Sequence, residues 1–147
     1  MPQIHRVKKL PYTCQQMFDL VADVDRYAEF LPWCQQGRLL ERGEGYLIGQ
    51  ITVQKGAFVQ QFTTKNTFTY PTQMEMRLMQ GVFKKLYARW DFKALWVEGK
   101  EVGCEVGYFM DFEVPLLLSP ILGGLMSHIA QTMVEAFSKR AEQLYGQ

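Results

Sequence analysis

The stretch KKLYARWDFKALWVEGKEVGCEVGYFMDF, residues 84–112, decides the fold, because its apolar side chains recur at every second position on both sides of one turn. Strands place such positions on a single face. The runs Lys84–Ala94 and Val102–Phe112 are separated by the turn residues Glu98-Gly99-Lys100. A connection this short predicts an antiparallel hairpin, because a parallel crossover needs about a dozen residues or more. The expected inner face carries Leu86, Ala88, Trp90, Phe92, Cys104, Val106, Tyr108, Met110 and Phe112.

The same period of two extends upstream through most of the chain. It predicts further strands at Ile4–Leu10, Arg38–Arg42, Tyr46–Gln54, Phe58–Phe68 and Met74–Met79. Turn-forming residues separate consecutive runs, as at Gly43-Glu44-Gly45, Lys55-Gly56, Tyr70-Pro71-Thr72 and Gln80-Gly81. Together with the hairpin, these runs predict one meander-like antiparallel sheet of about seven strands.

Helices are predicted at both ends of the sheet region. Thr13 with Gln16 three residues later is typical of a capping box, and a second helical turn after Asp23 ends before Pro32. Near the C-terminus, Ser119-Pro120 predicts an N-cap followed by a first-turn proline. A helix from there to about Leu144 would be roughly 37 Å long.

The apolar side of the C-terminal helix is expected to lie on the sheet, which predicts an α+β fold. That side carries Leu125, Met126, Ile129, Met133, Ala136 and Phe137. The pair Gly123-Gly124 is unusual in a helix, and three features would explain it: a hinge, a close backbone approach at a pocket mouth, or a short loop that divides the helix.

Composition predicts one domain, residues 1–147, in a reducing compartment. The chain has 147 residues, 48% of them apolar, and a net charge of +1, so no DNA partner is indicated. The scattered Cys14, Cys34 and Cys104 predict neither a disulfide framework nor a zinc site. Without a signal peptide, and with Val114–Met126 too short to span a bilayer, a cytoplasmic location is expected.

Two polar residues, Gln60 and Asn66, share the inner face of the Phe58–Phe68 run. A buried amide without a partner costs roughly 1–3 kcal/mol, so a dry core should not retain them unpaired. Three explanations remain open: they bond to neighbouring side chains, they line a cavity with water or a ligand, or this end of the sheet is exposed.

Signatures of catalysis are absent from the sequence. It has no HExxH, GxSxG, Walker or dinucleotide-binding glycine pattern, and His128 falls on the polar side of its helix. Tyr108 is the main titratable group on the inner face, where a hydrogen-bonded hydroxyl is the expected state. Asp111 and Glu113 share the outer face and are expected to be solvated. We therefore predict no catalytic residues, no metal site and no required cofactor.

Several motifs resemble one known family. They are QMFDLVA at 16–22, DVDRYAEFLPWC at 23–34, Lys55-Gly56, GVFKKLYARWDF at 81–92 and MVEAF at 133–137. This set resembles the coenzyme Q-binding and ribosome association toxin family of the START-like, or polyketide cyclase/dehydrase-like, superfamily. The resemblance covers nearly the whole chain.

The resemblance implies a helix-grip fold, in which the long helix closes the sheet over an elongated hydrophobic cavity. It also implies two functions, because members are associated either with binding ubiquinone in support of respiration or with blocking the association of ribosomal subunits. Ala28 and Gln54 depart from the family pattern where proline and an aromatic residue are common. Neither departure lies on the inner apolar face, so both leave the ligand identity open.

The first hypothesis is a non-catalytic carrier for a polyprenyl quinone such as ubiquinone, or for another lipid. Gln60, Asn66 or Tyr108 would orient the quinone carbonyls, and Phe30 and Trp33 would lie near an entrance. The expected cavity wall is Phe58, Phe62, Met76, Leu86, Trp90, Met110, Ile129 and Met133. A quinone carrier implies peripheral contact with the inner membrane.

The second hypothesis is a translation inhibitor that binds a ribosomal subunit. It would use a modest basic strip formed by Lys84, Lys85, Arg89 and Lys93, of which the last three share the outer face of one strand. A cyclase or dehydrase acting inside the cavity is a third, weaker alternative.

Overall fold

The computed structural model describes residues 3–146, which form one seven-stranded sheet, two α-helices and three short helical turns of other types. The strands are β1 (Gln3–Leu10), β2 (Cys34–Gly43), β3 (Tyr46–Lys55), β4 (Phe58–Thr69), β5 (Gln73–Gln80), β6 (Lys85–Val97) and β7 (Lys100–Glu113). Helix α1 spans Cys14–Ala22, a 3-10 helix spans Val24–Glu29, and α2 spans Gly124–Tyr145. The predicted α+β fold is confirmed. Strand β2 begins at Cys34 rather than at the predicted Arg38, because its first residues already pair with β3.

The sheet is an antiparallel meander of β2 to β7, and β1 is added at its edge beside β7. Its order is β1-β7-β6-β5-β4-β3-β2, so only β1 pairs outside the sequential hairpins. In the central hairpin, Ala88 lies opposite Met110, and Trp90 lies opposite Tyr108. These inner-face side chains are buried, whereas Lys85 and Lys93 on the other face are exposed. The predicted register of β6 and β7 is therefore confirmed.

The capping box at the start of α1 is also confirmed. The Thr13 hydroxyl accepts the backbone N–H of Gln16 at 3.1 Å, and the Gln16 side chain accepts the N–H of Thr13 at 2.9 Å. Two of the donors left free at the helix start are thus satisfied. The cap directs the buried Met17, Phe18 and Val21 towards the core.

The 3-10 helix packs against β2 at a position that requires glycine. A Cβ on Gly37 would lie 2.3 Å from the Val24 carbonyl oxygen and 3.2 Å from the Tyr27 Cβ. Real Cβ atoms do not approach backbone so closely, so only glycine permits this contact. The contact holds the Tyr27 ring in the interior, where its hydroxyl donates to the Val21 carbonyl.

Helix α2 buries the side that the apolar pattern predicted. The buried positions of the helix are Leu125, Met126, Ile129, Ala130, Met133, Val134, Phe137 and Ala141, while Ala136 is half-buried. The Phe137 ring lies 5.2 Å from Trp90 on β6 and 5.0 Å from Phe30. Burying each large apolar side chain contributes about 1.5–3 kcal/mol, so this contact fixes the helix on the sheet.

The entry into α2 differs from the prediction. Ser119 makes no capping hydrogen bond, because Ser119–Gly123 already forms a wide, π-type helical turn that continues into α2. The turn places Pro120 where no backbone N–H is needed. The glycine pair therefore neither divides the helix nor lies in a loop. A Cβ on Gly124 would meet open space, so crowding does not explain the pair.

The continuous helical segment Leu116–Tyr145 is longer than the apolar stretch recognised in the sequence. By length and mean hydropathy alone, 1.3 over its most apolar window, it meets the criteria for crossing a membrane. The same criteria are met by the core helix of a soluble protein. In this fold one side of α2 packs on the sheet and on α1.

Candidate functional site

An apolar cavity lies between the inner face of the sheet and α2. Its volume is ≈ 40 Å³. It is lined by Tyr27, Trp33, Ile51, Phe62, Thr64, Met76, Leu86, Ala88, Tyr108, Met110, Met126, Ile129 and Met133. Ligand sites typically measure about 300–1,000 Å³, so this cavity is nearly closed around a small void.

Four methionines from three secondary-structure elements form much of the cavity wall. Met76 lies on β5, Met110 on β7, and Met126 and Met133 on α2. An unbranched thioether chain has three rotatable bonds and repacks around objects of different shape. The cavity can therefore widen by side-chain rotation without a change of fold.

Two polar side chains, Tyr108 and Trp90, lie next to each other in the interior. Burial raises the pKa of the Tyr108 hydroxyl, which belongs to the cavity lining, well above its ordinary value. The Trp90 indole N–H is buried without a hydrogen-bond partner. The two rings lie 4.6 Å apart. Since an unsatisfied buried donor costs about 1–3 kcal/mol, the Trp90 N–H favours a ligand that brings an acceptor.

The structure brings together most of the side chains predicted to bind the ligand. Those that line the cavity are Trp33, Phe62, Met76, Leu86, Tyr108, Met110, Ile129 and Met133. Trp90 lies in the core beside the cavity, and Phe58 and Gln60 are half-buried outside its lining.

Asn66 is buried but is satisfied by its neighbours. Its carbonyl oxygen accepts the Thr64 hydroxyl at 2.7 Å, and its amide donates to the Met74 sulfur at 3.7 Å. Of the three explanations open at the sequence level, bonding to neighbouring side chains holds for this residue. Asn66 does not line the cavity.

Five lining residues were not among those predicted to bind the ligand. They are Tyr27, Ile51, Thr64, Ala88 and Met126. Alternation had already placed Ala88 on the inner face, and helical spacing had placed Met126 on the apolar side of α2. Ile51 likewise falls on the period of two in β3, together with the buried Val53, whereas Tyr27 reaches the lining because the 3-10 helix packs against β2.

An open groove of ≈ 770 Å³ runs along α2 outside the cavity. Phe30 and Trp33, which the sequence places near an entrance, both line it, and Trp33 also lines the cavity. Arg140 also lines the groove, where it contacts Glu29 at 2.5 Å, and its guanidinium carbon lies 4.9 Å from the Phe30 ring centre. A ligand entering the cavity from this groove would pass Trp33.

The basic strip on the outer face is largely neutralised by neighbouring carboxylates. Lys85 contacts Asp111 at 2.6 Å, and Arg89 contacts Asp91 at 2.8 Å. Asp111 was expected to be solvated but is buried, and its hydrogen bond from Lys85 holds the pKa of the carboxyl below its ordinary value. Lys84 and Lys93 remain at exposed positions.

The titratable groups of the interior are poorly suited to catalysis. Burial raises the pKa of the Cys34 thiol to about 11 and also raises the pKa of Cys14 and Cys104. Thiols with raised pKa values are weak nucleophiles at neutral pH. Within residues 3–146, no group of three or more His, Cys, Asp or Glu side chains is placed to hold a metal ion. The arrangement is chemically suited to hold an apolar molecule.

Comparisons with known proteins agree with this geometry. The family model described as "Polyketide cyclase / dehydrase and lipid transport" matches residues 10–138. The protein named "Ribosome association toxin RatA" of Pseudomonas aeruginosa is 42% identical over 143 residues, which cover 97% of each chain. "Coenzyme Q-binding protein COQ10 homolog B, mitochondrial" of Xenopus laevis is 28% identical over 95% of this chain and 57% of its own length. Both names describe binding or association rather than catalysis.

A solved structure supports the fold independently. The START superfamily protein from Mycobacterium smegmatis superposes with a TM-score of 0.78, covering 97% of this chain and 98% of its own, at 19% identity. At that identity the likeness concerns the fold alone. The family match covers most of the chain, and the predicted resemblance to a START-like family is confirmed. The protein belongs to the polyketide cyclase/dehydrase and lipid transport family.

Proposed function

We propose that the protein binds a polyprenyl quinone, or a lipid of similar shape, in the cavity between the sheet and α2, as a carrier that does not convert it. The observation that carries the proposal is the methionine-rich apolar cavity, which Tyr108 lines and beside which the Trp90 N–H is buried without a hydrogen-bond partner. The coenzyme Q-binding name of one relative supports the same ligand class.

Affinity would come chiefly from burying the hydrocarbon tail. Each methylene removed from water contributes about 0.8 kcal/mol, so a few isoprene units outweigh the cost of repacking the methionines. A quinone carbonyl is a hydrogen-bond acceptor, which the Trp90 N–H lacks and which the Tyr108 hydroxyl in the cavity lining can also bind. The tail would then extend past Trp33 towards the groove.

The ligand is identified by native purification, extraction with organic solvent and mass spectrometry of the extract. We expect a prenylated quinone at a stoichiometry near one, and a several-fold lower amount from the variant Tyr108→Phe. The matched control is Tyr87→Phe, because the Tyr87 hydroxyl donates to Glu75 at 2.6 Å on the outer face. An extract without any apolar molecule, together with no uptake of added ubiquinone, would contradict the proposal.

Association with a ribosomal subunit is the second candidate, and it rests on the name of the relative that is 42% identical over 97% of this chain. The exposed Lys84 and Lys93 would contact phosphates, since Lys85 and Arg89 are already paired. Such contacts weaken steeply with salt, because binding releases counterions from the nucleic acid.

Cosedimentation with purified ribosomal subunits over a range of salt tests the second candidate. The double variant K84E/K93E should bind less tightly than the parent protein and show a shallower salt dependence. The control Lys100→Glu changes an exposed lysine beside the β6–β7 turn and should bind as the parent protein does. Equal binding by the two variants would exclude this strip. Quinone extraction from the same preparations separates the two candidate functions.

A further inference from the structure

The segment between β7 and α2 carries a small apolar projection, here called the leucine tip and formed by Leu116, Leu117 and Ile121. Leu116 is 84% exposed, Leu117 94% and Ile121 44%. A leucine that is 94% exposed is in contact with almost nothing else in the fold. Large apolar side chains exposed side by side mark a binding surface when they form a patch.

The chain around the leucine tip lacks charge and satisfies much of its own backbone. Residues 114–127 contain no Asp, Glu, Lys or Arg. The backbone turns on itself here, since the N–H of Leu118 donates to the Pro115 carbonyl at 3.0 Å and a π-type turn follows. Backbone that is already hydrogen-bonded enters an apolar medium at a much lower cost than an open loop.

The same segment also has a buried side. Leu122 is fully buried, while Leu116 and Leu117 point away from the core. The neighbouring loop adds the partly exposed Val82, and it is joined to the segment by the hydrogen bond from the Lys84 N–H to the Glu113 carbonyl at 2.9 Å. One short stretch of chain thus has a side buried in the core and an exposed apolar side.

We propose that the leucine tip inserts into the interfacial region of a lipid bilayer and docks the protein on a membrane surface. A protein partner or a second copy fits less well, because stable protein interfaces bury about 800 Å² on each side. Three side chains offer only a few hundred Å². A bilayer sets no such minimum, since each apolar group inserted contributes separately. The inference rests on the exposed tip and not on the identity of the cavity ligand.

Flotation with vesicles of phosphatidylcholine and phosphatidylglycerol tests the proposal without any added ligand. The variant L116S/L117S should lower the partition coefficient at least about tenfold, since two leucine side chains no longer enter the bilayer. The matched control is V97S/V102S, which removes two apolar side chains that are 56% and 47% exposed at the β6–β7 hairpin. Thermal unfolding of both variants verifies the fold.

We expect the control to bind as the parent protein does, and we expect parent binding to persist at high salt because the tip is uncharged. Equal partition of L116S/L117S and the parent would overturn the proposal. Loss of binding only in V97S/V102S would assign the membrane contact to the opposite hairpin. A dimer abolished by L116S/L117S, in a parent that does not float with vesicles, would assign the tip to a second copy.

Discussion

Replacing Ala88 with valine tests whether the interior cavity holds the ligand. Ala88 is buried on the inner face of β6, lines the cavity and lies opposite Met76 on β5 and Met110 on β7. The two added methyl groups point into a void of ≈ 40 Å³. They occupy the space into which the methionines would otherwise rotate around a ligand.

The expected effects on stability and on binding have opposite signs. Two methyl groups buried in an existing void contribute up to about 1.6 kcal/mol, which corresponds to a rise in Tm of about 3–6 °C for a domain of this size. Residual overpacking reduces that gain. Quinone recovered by extraction should fall several-fold, because the cavity can no longer widen.

Differential scanning calorimetry and quantitative extraction measure the two effects on the same samples. Ala94→Val is the matched control, because Ala94 lies on the same face of β6 but outside the cavity lining. Unchanged quinone content in Ala88→Val would refute the cavity as the ligand site. A Tm lower than that of Ala94→Val would refute the presence of usable space beside residue 88.

Three further predictions concern the scaffold. Gly37→Ala should lower the Tm by several degrees, because its Cβ would lie 2.3 Å from a carbonyl oxygen. In the control Gly49→Ala, the added Cβ meets ordinary contacts from 3.4 Å and should change the Tm little. Equal effects of the two substitutions would contradict the crowding argument. Lys85 lowers the pKa of Asp111, so their pairing stabilises the fold above the ordinary carboxyl pKa of 3.8. This stabilisation is lost as the pH falls through the lowered pKa of Asp111. Urea titrations of Lys85→Met should therefore show a smaller loss of stability in acid than titrations of the parent protein. With its pKa raised to about 11, Cys34 is about one part in a thousand thiolate at pH 8, and rapid labelling of the folded protein by a thiol reagent would contradict its burial.

Much of the fold follows from local patterns in the sequence. Alternation in β6 and β7 assigned each side chain to its face because the period of a strand is two, and the capping box at Thr13 fixed the start of α1 because its two hydrogen bonds span three residues. Helical spacing likewise assigned the buried side of α2. Such signals depend only on neighbours in the chain, so they are readable before folding.

The candidate site was only partly readable, because it depends on residues that are distant in sequence. Inner-face positions such as Met110 and Met133 were predicted from their elements, but Tyr27 enters the lining only when the 3-10 helix packs on β2. Gly37 permits that packing, and no local pattern announces it.

The sequence by itself determined a meander sheet with one apolar face and a long amphipathic helix, since both follow from periodicity. Only the tertiary structure decided that the Asn66 amide donates to Met74 on the next strand while the Trp90 N–H has no partner, because such pairing depends on distances across strands. It also decided how small the closed cavity is, and that Leu117 stands free of the core. Volume and exposure are sums over all surrounding atoms, so no stretch of sequence specifies them alone.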